Sequence, residues 1–319
     1  KMNKKTNQIS KIILGAAVVI GLASCGGNTE PANEKNAEGT TLSGDIKIDG
    51  SSTVYPITEA VAEEFRTESP DVQVTIGSSG SGAGFKKFIR NEIDIADASR
   101  GIKDKEVASL KEAGIEFTEI TVAYDGLAII ANPENNWLTS ITTEELHKIW
   151  EPAAKGVIMK WNQINPEWPA EEIHLYGPST AHGTYDYFTE EINGESGASR
   201  ADFTACADYN VLVQGVATDK FALGYVGLAF VEENADKLKL IGVDGGSGAV
   251  TPTPETVGDG TYAPLSRPLF IYVNNEALKR PEIKSFVEFY ITNAAELSKE
   301  VGYVALPAEK YEDQKKKVQ

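Results

Sequence analysis

Histidine and cysteine are scarce in this chain: of 319 residues, three are histidine and two are cysteine. His147, His174 and His182 show no metal-ligand spacing with cysteine or carboxylate, so no metal site is expected. Basic residues are also in deficit. Thirty Lys and Arg face 47 Asp and Glu, a formal net charge of −17, and that sign argues against nucleic acid as a partner. An anion is not excluded on the same ground, because backbone dipoles, hydroxyls and one arginine build an anion site whatever the global charge. Several catalytic signatures are missing. A phosphate-cradling P-loop needs Gly-Lys-Ser/Thr, and Gly84 is followed by Phe85. The spacing Gly80, Gly82, Gly84 does not match the dinucleotide pattern, and no Gly-x-Ser-x-Gly elbow occurs. Without an evident nucleophile, base, metal or cofactor motif, binding is expected rather than turnover.

The start of the chain has its own composition. Lys1, Lys4, Lys5 and Lys11 precede a short apolar run, Ile12–Ala23, too short for a stable membrane span. The run ends in "LASC", Leu22 to Cys25, the pattern of a bacterial lipoprotein signal. Residues 1–25 are therefore expected to be a signal peptide ending at a lipidated Cys25, and residues 26–44, nearly free of apolar side chains, a flexible tether. This predicts a periplasmic or cell-surface protein whose only membrane contact is the lipid. Cys206 is then the one remaining cysteine, unable to form an intramolecular disulfide and expected as a small buried hydrophobe.

One local plan occurs three times. Ile46 and Ile48 alternate as in a strand, the chain turns through Gly50, Ser51, Ser52 and Thr53, and Ile57, Val61 and Phe65 then fall at helical spacing. Val72, Val74 and Ile76 lead into Gly77–Gly84, which holds only Gly, Ser and one Ala, before Phe85, Phe88 and Ile89. Leu175 and Tyr176 lead through Gly177–Thr184 to Tyr185, Phe188 and Ile192. A hydroxyl-rich helix start is either an ordinary N-cap or an anion site built from free N–H groups. Arg100, at the end of the short strand "EIDIADASRG", offers a planar fork of donors to an oxyanion, or else a surface salt bridge.

Strands and helices alternate, which predicts an α/β protein. Two long extended runs, Ile120–Pro133 and Pro264–Asn274, are expected to carry the chain between two domains. The expected layout is a first α/β lobe of residues 45–131 plus 266–319 around an inserted lobe of residues 132–265. Helical patterns are read at Glu282–Asn293 and Ala294–Val301, and "DGGSGAVTPTPETVGDGTY" as surface loop.

The segments "DGSSTVYPITEAVAEEF", "GSSGSGAGF", "IADASRGIKDKE", "AYDGLAIIANPEN", "YGPSTAHGTYDYFTEE" and "PLSRPLFIYVN" together resemble the extracytoplasmic phosphate-binding proteins of the ABC-type phosphate transporter, the PstS family. The likeness spans Asp45 to Ala308. It implies a two-lobed type II periplasmic binding protein fold, with mixed or parallel sheets, flanking helices and two crossing hinge strands. It implies a monomeric, non-enzymatic protein that captures inorganic phosphate between the lobes and delivers it to a permease and ATPase in the cytoplasmic membrane. Carried over residue by residue, the ligand contacts are Ser52, Thr53, Ser79, Gly80, Ser81, Gly82, Arg100, Thr180, Gly183 and Thr184. The family loop commonly reads Gly-Pro-Gly-Thr-Asp-Ser-Gly-Thr, and this chain has Ala181 and His182 where that pattern has Asp and Ser. The acceptor for the proton of hydrogen phosphate must then come from elsewhere, and Asp125, Asp97 or a neutral His182 are the candidates. Competing readings are a binder of sulfate or arsenate, a phosphatase-like enzyme, and an adhesion or signalling protein on the same scaffold.

Overall fold

The structure, a computed structural model, describes residues 42–319 with the exception of Glu233. The expected signal ending at Cys25 and residues 26–41 of the expected tether lie outside the described residues. No described helix is long and apolar enough to cross a membrane.

Alternating apolar residues set the first strands. β1 (Gly44–Gly50) pairs in parallel with β2 (Val72–Gly77) and β3 (Ile95–Ala98). It starts one residue inside the stretch expected as tether, because Gly44 is in register with Val72. Between these strands run helix α1 (Tyr55–Glu68), burying Ile57, Val61 and Phe65, and helix α2 (Ser81–Ile89), burying Phe85 and Phe88. Helix α3 (Asp104–Glu112) follows β3.

β4 (Phe117–Ala131) is fifteen residues long and nearly all buried. Its partners change along its length. Phe117–Gly126 pairs antiparallel with the last strand of the chain, Ser266–Asn274, which itself borders β3. Leu127–Ala131 pairs instead with two strands from the intervening sequence. Those strands arise in order: β5 (Ser140–Thr142), β6 (His174–Pro178), β7 (Thr204–Cys206), β8 (Ala222–Gly227), β9 (Lys239–Asp244) and β10 (Ala249–Val250), with Ser266–Asn274 as β11. One hydrogen-bonded path runs β2-β1-β3-β11-β4-β8-β6-β7, with β9 joining β4 and carrying β5 and β10. The architecture is mixed α/β, and its two strand groups are joined along β4. The second group is flanked by helices α4 (Thr143–Trp150), α5 (Gly183–Asn193) and α6 (Tyr209–Thr218).

Aromatic packing fills the second group. The Trp150 indole meets Phe188, Phe203 and Tyr225 edge-on, and Phe188 stacks on Tyr225 at 3.8 Å. Cys206 is buried, as expected. The two helical patterns expected near the C-terminus are one helix, Pro281–Glu300. Nothing between Asn293 and Ala294 breaks it, and its buried stripe of Ile283, Phe286, Tyr290, Ala294 and Leu297 is continuous. The region expected as surface loop contains β10 and a short helical segment, Pro254–Gly258, capped by Thr253.

Glycine decides how closely these layers approach. A Cβ added at Gly84 in α2 would lie 2.7 Å from Gly50 Cα and 2.9 Å from the Asp49 carbonyl oxygen. In an open helix, alanine is favoured over glycine by about 1 kcal/mol. Here the neighbours are backbone and cannot turn aside, so Gly84→Ala should lower stability by about 1–3 kcal/mol, the scale of overpacking. Urea denaturation of the variant checks this, and a midpoint above wild type would contradict it.

Candidate functional site

Three helix starts meet where the two strand groups face each other. At the first, Gly50 ends β1 with φ +152°, directly against the Asp97 backbone, and Ser51 N–H donates to the Asp97 carbonyl at 2.9 Å. The Ser51 hydroxyl then caps the turn, accepting from Thr53 N–H at 3.2 Å and from Val54 N–H at 3.4 Å. This leaves Ser52 and Thr53 at the head of α1. At the second, Gly80 takes φ +91°, a conformation that favours glycine, and its N–H donates to the Gly50 carbonyl at 2.6 Å. The third is the start of α5, which abuts the first: a Cβ at Gly183 would lie 2.8 Å from Thr53 Oγ1 and 2.9 Å from Thr53 Cα. Among the described residues, the N–H groups of Ser52, Ser81, Gly82, Gly183 and Thr184 donate to no protein acceptor. Five free donors at three helix N-termini, each carrying the positive end of a helix dipole, favour an anion.

Two adjoining cavities flank this junction, and Ser52 lines both. The larger, about 560 Å³, is lined by Thr53, Gly80, Ser81, Gly82 and Arg100 from the expected set. The smaller, about 310 Å³, is lined by His182, Gly183 and Thr184, with Ala181 and Tyr209. Thr184 Oγ1 is 2.8 Å from the Tyr209 hydroxyl, and His182 Nε2 is 3.1 Å from the Ala207 carbonyl oxygen.

Three expected contacts are placed differently. Ser79 lines neither cavity. Its N–H and hydroxyl both donate to Asp49 Oδ1, at 3.0 and 2.6 Å, so it braces the second loop. Thr180 is exposed at the rim and lines neither cavity. Asp125 is buried behind the cavity wall, its Oδ2 facing Arg267. Arg100 faces the larger cavity while its guanidinium makes a two-pronged bond to Glu106, at 2.8 and 2.9 Å. Burial pushes the Glu106 carboxyl up, but the bonds from Arg100 and the Lys103 N–H outweigh it and hold it below the usual range.

Residues that the sequence reading missed also border the larger cavity. Arg267 is the chief one, and Asp186, Glu190 and Glu191 of α5 line the same cavity. Burial raises the carboxyls of Asp186 and Glu191, opposed by the nearby Arg267 charge and, for Asp186, by a bond from Ser196, while the Glu190 charge adds to the rise. The signal for Arg267 was present: it is the one charge in the run "PLSRPLFIYVN", and its mate in register, Asp125, is the one charge in "AYDGLAIIANP".

Asp97 lies beneath the first loop, fully buried. Its Oδ2 accepts from Thr58 Oγ1 at 2.8 Å, Thr58 Oγ1 is 3.0 Å from the Tyr290 hydroxyl, and Oδ1 has no partner. Burial, with the Asp49 charge adding and the Thr58 bond opposing, pushes its carboxyl up to about 7. An unfolded aspartate titrates near 3.8, so between pH 4 and 7 the folded chain holds a proton that the unfolded chain has lost. Stability from this group is full below about pH 4 and is lost as pH rises to 7, by at most about 1.4 kcal/mol per pH unit. Asp97→Asn is neutral throughout, so its stability relative to wild type should improve steadily from pH 4 to 7. Urea denaturation at stepped pH measures this, and a constant difference between the two proteins would refute it.

Comparison with known proteins places the chain among relatives. A family model described as a PBP superfamily domain matches residues 35–294. The chain is 48% identical over 267 residues to protein SphX of Synechocystis sp., covering 83% of this chain and 80% of that one. It is 39% identical over 317 residues to the phosphate-binding protein PstS of Staphylococcus saprophyticus, covering 99% of this chain and 94% of that one. The crystal structure of a possible phosphate binding protein from Planctomyces limnophilus superposes with a TM-score of 0.84 at 47% identity, over 87% of this chain and 98% of that one.

Proposed function

This chain belongs to the PBP superfamily and, within it, to the PstS phosphate-binding proteins, and on that premise we propose that it captures inorganic phosphate and delivers it to an ABC-type importer. The family is one of solute-binding proteins, not of enzymes. The observation that carries the reading is the junction of three helix N-termini, where Ser52, Ser81, Gly82, Gly183 and Thr184, whose N–H groups donate to no protein acceptor among the described residues, line two adjoining cavities. Such donors bind an oxyanion without a full counter-charge. The hydroxyls of Ser52, Thr53, Ser81 and Thr184 extend the donor set, and Arg100 adds a charge-assisted bond from the side.

The contact of Gly183 with Thr53 supports a grip by two lobes. We read residues 45–131 with 266–319 as one lobe and 132–265 as the other, with β4 and β11 as the strands between them. A ligand touching both lobes favours the closed arrangement through contacts that the open one lacks. The lipid on Cys25, the tether and the docking of the loaded protein on a permease and its ATPase belong to the same proposal. They accord with the basic, apolar and small-residue order of the first 25 residues.

Calorimetric titration of phosphate, with arsenate and sulfate as competitors, tests the assignment. Phosphate should bind at micromolar concentration or below, and no heat at millimolar phosphate would sink it. Arg100→Ala should weaken phosphate by about 1.5–3 kcal/mol, with Arg100→Lys recovering only part because the planar fork is lost. Gly183→Ala should also weaken binding, since its methyl group would hold the two helix starts apart. Small-angle scattering of that variant with saturating phosphate should give a larger radius of gyration than wild type.

A further inference from the structure

We propose that Arg267 is a second guanidinium contact for the bound oxyanion and that Asp125 is its positioning partner, an inference that rests on the phosphate reading above. Arg267 comes from β11 and Asp125 from β4, and the two are in register where these strands run side by side. The guanidinium is held from several directions. Its plane lies over the Tyr187 ring of α5 at 3.5 Å, its Nη2 is 3.2 Å from Thr53 Oγ1 at the head of α1, and Nε and Nη2 each stand 3.4 Å from Asp125 Oδ2. It therefore touches both lobes and the strand between them, and it lines the larger cavity.

Two features separate this arrangement from a closed structural ion pair. First, the contacts to Asp125 are long and converge on one carboxylate oxygen, whereas Arg100 and Glu106 make two bonds at 2.8 and 2.9 Å. Burial raises the Asp125 carboxyl despite the nearby guanidinium, as expected for a partner that compensates it incompletely. Nη1 makes no hydrogen bond among the described residues, leaving a planar edge to offer the cavity. Second, Thr53 Oγ1 accepts from Nη2, so its own proton is left to donate elsewhere. The arginine thereby directs both its free edge and the Thr53 hydroxyl proton toward one place, beside the free N–H groups of the helix starts. Tyr187 holds the ring-facing side, and its own hydroxyl is occupied, donating to the Pro264 carbonyl at 2.7 Å.

The test is calorimetric titration of inorganic phosphate into protein freed of ligand, at two ionic strengths, for wild type, R267Q, R267K and D125N. Thermal unfolding runs in parallel. R267Q should bind about 10- to 100-fold more weakly, the scale of one charge-assisted hydrogen bond, and with a flatter salt dependence because a charge is gone. R267K should recover part of the affinity. D125N should bind about as tightly as wild type, since the asparagine oxygen still accepts from the guanidinium and holds it in place, while Asp186 and Glu191 still stand near it. R267Q within two-fold of wild type would overturn the inference. So would an equal loss in D125N and R267Q, the result for a brace that fails from either side. If R267Q does not fold, R267K and D125N decide: a weaker R267K with an undiminished D125N supports the contact, while an unchanged R267K or an equal loss in both overturns it. A wild-type protein that ignores phosphate would instead overturn the phosphate reading, and this inference with it.

Discussion

Everything at the site depends on bringing three helix N-termini together with no side chain between them. Gly50 lies against the Asp97 backbone, Gly84 against Gly50, and Gly183 against Thr53. Each is a backbone-to-backbone contact that a single methyl group would push apart. The approach matters because a helix start offers partial charge only within its first turn, and the benefit decays over a few ångströms. Close glycine packing is thus an electrostatic device: it concentrates several weak dipoles on one point. The loops themselves are braced from outside the cavity. Asp49 holds Ser79 and pairs with Lys87, and the Ser79 and Lys87 bonds outweigh burial to keep its carboxyl below the usual range.

This construction explains how a chain of net charge −17 offers a site for an anion. Long-range attraction is unfavourable, and Asp186, Glu190 and Glu191 place further negative charge on one wall of the larger cavity. What attracts is local: free N–H groups and hydroxyls, with Arg100 already matched by Glu106 and, in the proposal above, Arg267 partly matched by Asp125. Such a site asks a ligand to fit a set of donors rather than to neutralise a charge excess. Burial of Asp97 beneath the Ser51–Thr53 loop pushes its carboxyl up to about 7, so below that pH it competes less than an ordinary aspartate would with an anion for the positive end of α1.

The two strands that join the halves have more than a mechanical part. β4 changes partners between Gly126 and Leu127, and the Asp125–Arg267 pair lies at that change. A charge pair in this place senses any rotation of one strand group against the other, because Arg267 also reaches Thr53 and Tyr187. In the two-lobed reading proposed above, opening the cleft would have to break one of those contacts. The strand region is therefore coupled to the site by side chains as well as by the backbone.

Much of this was legible in the sequence, because periodicity and turn chemistry are local. Alternating Ile46 and Ile48, Val72 with Val74 and Ile76, and the Gly/Ser/Thr loops after them announced strand, turn and helix start, and each appears at its expected place. The long apolar runs announced β4 and β11. The family resemblance on the same segments agreed with the comparisons. Other features depended on distance in space. Arg267 and Asp125 are 142 residues apart and Arg267 and Thr53 are 214 apart, so only the register of β11 on β4 and the packing of α1 unite them. The same holds for Ser79, whose hydroxyl turns to Asp49, and for Asp125, which burial removes from the cavity wall. Local residue types determined which segments offer donors. The tertiary structure alone decided which donors face the cavity and which are consumed as braces, because a hydrogen bond joins whatever the fold brings within about 3 Å, whatever their separation along the chain.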